Sequence, residues 1–155
     1  MKIIQTVFLN FEQKQILFEL WNSEYPVNIV FNEISEFDTY LDGLLDKKHY
    51  LLMNDFEQII GWSFTFFRDQ EYWFGIIVNS EFQGQGFGTL LLNELKKNKS
   101  VLYGWVTDHF DDVKKNNDPY LSPLGFYSKN NFIVNKDIRL ENDKISVVQI
   151  VCKQK

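Results

Sequence analysis

Residues 72–97, YWFGIIVNSEFQGQGFGTLLLNELKK, constrain this chain more than any other stretch. The aromatic and β-branched residues from Tyr72 to Val78 predict a buried strand. Gly84, Gly86 and Gly88 follow at alternate positions, and a leucine-rich helix, Thr89–Lys97, begins at once. Glycine lets a backbone turn tightly and come close to a ligand without interference from a Cβ. A helix start adds unpaired N–H groups and the positive end of the helix dipole. Together they make an anion site suited to phosphate or pyrophosphate, with Thr89 offering a hydroxyl donor in the first turn. A turn that only joins strand to helix is the plainer alternative, and three glycines in five residues exceed what it requires.

Two familiar phosphate loops fit poorly. A P-loop carries Gly-Lys-Ser/Thr at the helix start, where this chain has Gly-Thr-Leu. A dinucleotide loop reads Gly-x-Gly-x-x-Gly; Gly84 and Gly86 match, but Thr89 stands at the third position. Asp108 does lie where a ribose-binding acid belongs. A dinucleotide fold, however, needs more strand–helix repeats than the one short helix and hairpin that follow.

The remaining chain supplies the frame. Residues 2–8 predict a strand, and Phe11–Trp21 a helix with Asn10 as its cap. Glu33–Leu45 places Phe37, Tyr40, Leu41, Leu44 and Leu45 at three-and-four spacing, a second helix with Ser35 as candidate cap. Tyr50–Asn54, Ile59–Arg68 and Tyr72–Val78 predict an antiparallel meander. Val101–Thr107 is a further strand, Pro123–Asn130 a short helix, and Phe132–Leu140 with Ile145–Cys152 a closing hairpin. The order β-α-α-β-β-β-α-β-α-β-β predicts one α+β domain over residues 1–155, a mixed, mostly antiparallel sheet flanked by helices. At 45% hydrophobic content the chain has material for one core. A net charge of −5 without a broad basic patch argues against nucleic acid. The lone Cys152 excludes an internal disulfide and a multi-cysteine metal site; no metal is expected. The apolar start is interrupted by Gln5 and Thr6, and no run reaches the length of a membrane span. A cytoplasmic protein without membrane association, monomer or homodimer, is expected.

Gln83-Gly84-Gln85-Gly86-Phe87-Gly88 matches the Q/R-x-x-G-x-G/A motif of the GNAT superfamily of N-acetyltransferases. Val78-Asn79-Ser80-Glu81-Phe82 resembles the family's V-x-P-E-F/Y strand exit. Phe126-Tyr127-Ser128-Lys129-Asn130-Asn131-Phe132 resembles its FYxKxGF segment, with Asn131 in place of the glycine. The element order is similar too, so the resemblance spans essentially the whole chain. Tyr120 and Pro123 stand where the family often has Asn and Ala, which weakens any inference about cofactor contacts from that helix start.

The resemblance implies acetyl transfer from acetyl-CoA to a primary amine by direct attack in a ternary complex; a non-catalytic acyl-CoA-binding sensor or scaffold is the alternative. It implies that the segment Gln83, Gly84, Gln85, Gly86, Phe87, Gly88 and Thr89 holds the pyrophosphate. The edge of Ile76, Ile77 and Val78 would pair with the pantetheine arm and polarise the thioester carbonyl. Tyr127 aligns with the general acid that protonates the departing thiolate; a phenol of pKa about 10 facing a thiol near about 8.5 makes chemical sense. An amine of pKa about 10.4 must lose a proton before attack. Glu71, Asp108 and His109 are candidates for the base or for acceptor contacts, and a water chain is an alternative. Trp21, Tyr25, Glu33, Trp73 and Trp105 are candidates for the acceptor pocket, each with a core role as the competing reading. The acceptor itself, a small-molecule or peptide amine, is not specified.

Overall fold

The computed structural model describes residues 1–154. Its first strand, β1 (Lys2–Thr6), is shorter than expected: the Thr6 hydroxyl bonds to the Phe8 backbone and turns Val7 and Phe8 into solvent. Helix α1 (Phe11–Glu24) starts at Asn10 as predicted. The Asn10 side chain accepts from the Gln13 N–H at 2.7 Å and Gln13 returns the bond to the Asn10 N–H at 3.0 Å, a reciprocal cap. It runs past Trp21 to Glu24, where Pro26 forces the preceding residue out of helical conformation.

Helix α2 (Ile34–Asp42) is shorter than its apolar pattern suggests, and its cap is Glu33 rather than Ser35. The Glu36 carboxylate reaches back to the amides of Asn32 (2.9 Å) and Glu33 (3.0 Å). Gly43 ends the helix, and Leu44 and Leu45 leave it. Strand β2 (Leu45–Met53) therefore begins earlier than Tyr50. Its first half is polar, with a bulge between Leu45 and Lys48 and a positive φ at Asp46, which hides the strand period.

Strands β3 (Ile59–Arg68) and β4 (Glu71–Val78), helix α3 (Phe87–Asn98), strand β5 (Val101–Thr107), helix α4 (Leu124–Lys129) and the hairpin β6 (Ile133–Glu141)–β7 (Ser146–Lys153) complete the chain. The order of elements is the predicted one. The seven strands lie in the order β1-β2-β3-β4-β5-β7-β6, antiparallel throughout except for β4 and β5.

Side chains alternate across the sheet and fill two cores. Leu17, Trp21, Phe37 and Leu41 of α1 and α2 pack on Trp62, Phe64 and Ile77 on one face. Leu91, Leu92 and Leu95 of α3, with Tyr127 of α4, pack on Tyr50, Phe74 and Ile150 on the other. Cys152 is buried in that second core as a free thiol. Among the described residues no helix is long and apolar enough to cross a membrane.

Candidate active site

Strand β4 pairs with β3 along its whole length, but with β5 only through Trp73 and Tyr103. Beyond that single contact the two parallel strands part. The β4 edge from Gly75 to Val78 then faces a gap and keeps its hydrogen-bonding groups on that side. Two glycines shape the parting. A Cβ on Gly75 would lie 2.6 Å from the Phe64 ring, and one on Gly104 would lie 2.8 Å from Phe74. Phe64 therefore lies flat over β4 on the α1–α2 face, and Phe74 lies over β5 on the other.

At the end of β4 the chain makes one 3-10 turn, Ser80–Phe82, and Gln83 Nε2 closes it by donating to the Val78 carbonyl at 2.8 Å. Gly84 (φ +78°) and Gly86 (φ +87°) then take the left-handed conformation that residues with a Cβ avoid. Nothing crowds either position, so conformation is what requires glycine there. Helix α3 starts at Phe87, two residues earlier than the sequence suggests, and its first turn has no side-chain cap. The first amide of this region to find a partner is that of Leu90, which donates to the Gly86 carbonyl. Among the described residues the six consecutive N–H groups from Gly84 to Thr89 make no hydrogen bond. Gly84, Gln85 and Gly86 are exposed and Phe87, Gly88 and Thr89 half-buried, so these amides are open to a ligand. Six in a row beside a helix N-terminus form a cradle for an anion.

A cleft of about 710 Å³ runs from this loop through the parted strands to the α1–α2 face, within the range of ligand sites. Ile76, Ile77 and Val78 line its middle, and Gln83, Gly84, Gly86, Phe87, Gly88 and Thr89 line the loop end; Gln85 does not reach it. Tyr127 lies in its wall, 8% exposed, with its ring against Phe74 and Phe132. Burial, reinforced by Tyr120, pushes the Tyr127 phenol well above its ordinary value and keeps it protonated. Asn131 adopts φ +70°, the conformation for which a glycine is otherwise used. Tyr120 and Pro123 also line the cleft, and burial with the nearby Asp112 raises the Tyr120 phenol to about 12.

Trp21, Tyr25, Trp73 and Trp105 line the end of the cleft on the α1–α2 face. Trp73 stacks on Trp105 with centroids 5.3 Å apart, and Tyr25 meets the edge of Trp21 at 4.6 Å. The acidic and histidine candidates lie elsewhere. Glu33 is exposed at the start of α2. Glu71 sits opposite Arg68 at the closed end of the β3–β4 hairpin, away from the parting of the strands. Asp108 and His109 line a second, more open cleft beside the β6–β7 hairpin. There Arg139 grips Asp108 through two bonds of 2.7 and 3.0 Å and holds its carboxyl below the usual range. The His109 Nδ1 accepts the Asp111 N–H at 3.1 Å.

The carboxylates that do line the main cleft are Glu24 and Asp112, neither of which the sequence singled out. Glu24, 8% exposed, accepts the Ser80 N–H at 2.9 Å and pairs with Lys114 at 3.1 Å. Together with the Val27 N–H donating to the Val113 carbonyl at 2.8 Å, that pair fastens the segment after β5 to the end of α1. Residues so distant in the chain leave no local signal. Phe64, Phe66 and Arg68, also in the lining, did leave one: they alternate along β3 and share a face.

The sequence of residues 46–134 matches the family model described as the acetyltransferase (GNAT) domain. No curated protein sequence matches the chain. Among solved structures, an aminoglycoside 6'-N-acetyltransferase complexed with coenzyme A is similar over 99% of this chain and 97% of its own, at 14% identity and a TM-score of 0.73. Spermidine N-acetyltransferase from Vibrio cholerae, in complex with CoA and spermine, is similar over 98% of this chain and 95% of its own, at 14% identity and a TM-score of 0.68. The ribosomal-protein-alanine N-acetyltransferase of Brucella melitensis is similar over 99% of both chains, at 14% identity and a TM-score of 0.67. At such identities the likeness is one of fold.

Proposed function

Because the chain belongs to the GNAT acetyltransferase family, we propose that it transfers an acetyl group from acetyl-CoA to a primary amine by direct attack in a ternary complex. The observation that carries this reading is the run of partnerless amides from Gly84 to Thr89 beside the parted strands β4 and β5. The solved relatives bound to coenzyme A support acetyl-CoA as co-substrate, and those acting on aminoglycosides and spermidine support a small-molecule amine as acceptor.

In this reading the Gly84–Thr89 amides and the α3 dipole bind the pyrophosphate. The free edge of Gly75–Val78 pairs with the pantetheine arm as an added strand would. Its N–H groups polarise the thioester carbonyl as negative charge develops on the oxygen. The amine nitrogen bonds to the carbonyl carbon, the carbon–sulfur bond breaks, and Tyr127 donates its proton to the sulfur. Burial keeps Tyr127 a donor at every physiological pH but makes its anion costly. The proton that the nitrogen loses once it has bonded to the carbonyl carbon therefore has to restore the phenol promptly. Water, Asp112 and Glu24 are the groups available in the cleft to pass it.

One observation favours the alternative of a binding module: Glu24, the most buried carboxylate there, is already neutralised by Lys114. Calorimetry with acetyl-CoA, paired with a thiol-release assay over an amine panel, separates the two. Binding with release supports the transferase; binding without release supports the module. Absence of acetyl-CoA binding by the folded protein overturns both.

A further inference from the structure

On the α1–α2 face the cleft continues along β3, past Phe64 and Phe66 to Arg68. The Arg68 guanidinium lies over the Phe66 ring, 4.8 Å from its centroid. Cation–π attraction of this kind holds the group at the ring and leaves its N–H donors free. Among the described residues the Arg68 guanidinium makes no hydrogen bond and no ion pair, whereas that of the chain's other arginine, Arg139, is engaged by Asp108, Glu141 and Ser146.

Glu71 stands opposite Arg68 across the hairpin but forms no ion pair with it, and the charges in the cleft are engaged elsewhere. Of the carboxylates in the cleft, Glu24 is bound by Lys114 and Ser80, and Asp112 lies 3.8 Å from His109. Tyr40, also in the lining, is a neutral phenol: burial raises it to about 12 despite the opposing pull of Arg68. The apolar walls between Arg68 and the parting of the strands are Phe64, Phe66, Trp73 and Trp105. An unpaired guanidinium at the end of an aromatic channel suits a planar anion, and a carboxylate accepts two of its N–H bonds at once.

We propose that the acceptor is a small amine that also bears a carboxylate on an apolar or aromatic body, with Arg68 binding that carboxylate. The proposal rests on the acetyl-transfer reading above. Spacing supports it. Phe64 lies against Gly75 where the strands part, and Phe66 is the next side chain on the same face. Two residues of strand separate the two positions by about 7 Å. A compact amino acid spans that distance between its amine and its carboxylate contact. Glu24, held by Lys114, does not oppose a ligand with an anionic end.

Two pairs of compounds that differ only by the carboxylate test the proposal: phenylalanine with phenethylamine, and 4-(aminomethyl)benzoate with benzylamine. Each is titrated into the full chain loaded with CoA, and thiol release is followed separately with acetyl-CoA. At least one acid should bind about tenfold or more tightly than its partner, and Arg68→Gln should shrink that preference to about threefold or less. Arg68→Lys should keep part of it, and acetyl-CoA affinity should be unchanged in both variants. Equal binding within each pair, no binding by any of the four, or a preference that survives Arg68→Gln overturns the proposal. Thiol release driven equally well by the bare amines leaves the transferase reading standing and removes this inference. Selective binding of an acid without thiol release keeps Arg68 as a carboxylate site but overturns transfer to that acid, and with it the claim that the acid is the acceptor.

Discussion

His49 gives the protein a calculable acid lability. The ring is 1% exposed, and its Nδ1 accepts the Trp62 indole N–H at 3.1 Å, a role open only to an imidazole with that nitrogen unprotonated. Burial, with a contribution from Lys47, lowers its pKa from 6.5 to about 4. A group whose folded pKa lies below its unfolded value stabilises the fold fully above about pH 6.5. That contribution is lost as pH falls, because the unfolded chain takes up the proton first. Between pH 6.5 and 4 the loss is about 1.4 kcal/mol per pH unit, or about 3 kcal/mol in all, a large part of the stability of an ordinary domain. The measurement is urea unfolding of the wild type and His49→Asn at half-unit steps from pH 7.5 to 4. Asparagine keeps an acceptor near the Nδ1 position but does not titrate. The variant should start less stable because the side chain is smaller, and it should lose stability less steeply below pH 6.5. Carboxylates such as Asp108 act equally in both proteins and cancel in the difference. Parallel curves would show that His49 is not held neutral, and the reasoning would fail.

Gly86→Asp should weaken acetyl-CoA binding about tenfold or more in calorimetry, since it sets a negative charge among amides arranged for an anion. The space in front of Gly86 is open, but its φ of +87° strains any residue with a Cβ, so the melting temperature should also fall by a few degrees. Tyr127→Phe should lower turnover about tenfold or more while leaving acetyl-CoA affinity within about twofold; unchanged turnover would remove the phenol from the proton path. Lys114→Met should cost about 3 kcal/mol in urea unfolding, because Glu24 then stays buried without its partner. Adding Glu24→Gln should recover part of that loss, and no recovery would mean that the pair does not act as a unit.

The glycine turn before α3 and the Phe126-Tyr127 pair were legible in the sequence because each is local. Glycines placed for positive φ, a helix start and a Phe-Tyr pair are written in consecutive residues. The element order was legible for the same reason, since the hydrophobic period changes at each boundary. It was misread where the period was masked, as at Lys47 and Lys48, where a bulge and a charged surface conceal the start of β2. The acidic candidates show the limit of arguing from strand ends. Asp108 does follow β5, yet Arg139 reaches across from β6 and draws it to the second cleft. Glu24 and Lys114, which meet in the main cleft, lie at the end of a helix and in an irregular segment, and nothing in either neighbourhood announces the other. Arg68 was visible as part of the β3 alternation, but its lack of a partner is a property of the assembled cleft alone.

The single contact between β4 and β5 has a further consequence. A strand with free N–H and C=O groups on the rim of a sheet invites pairing with any extended chain, and proteins guard such rims with charge, bulges or covering segments. Here the free rim lies inside the sheet, flanked by β5 on one side and by packed aromatic rings above and below. The protein thus keeps a strand ready for pairing without offering it to other proteins.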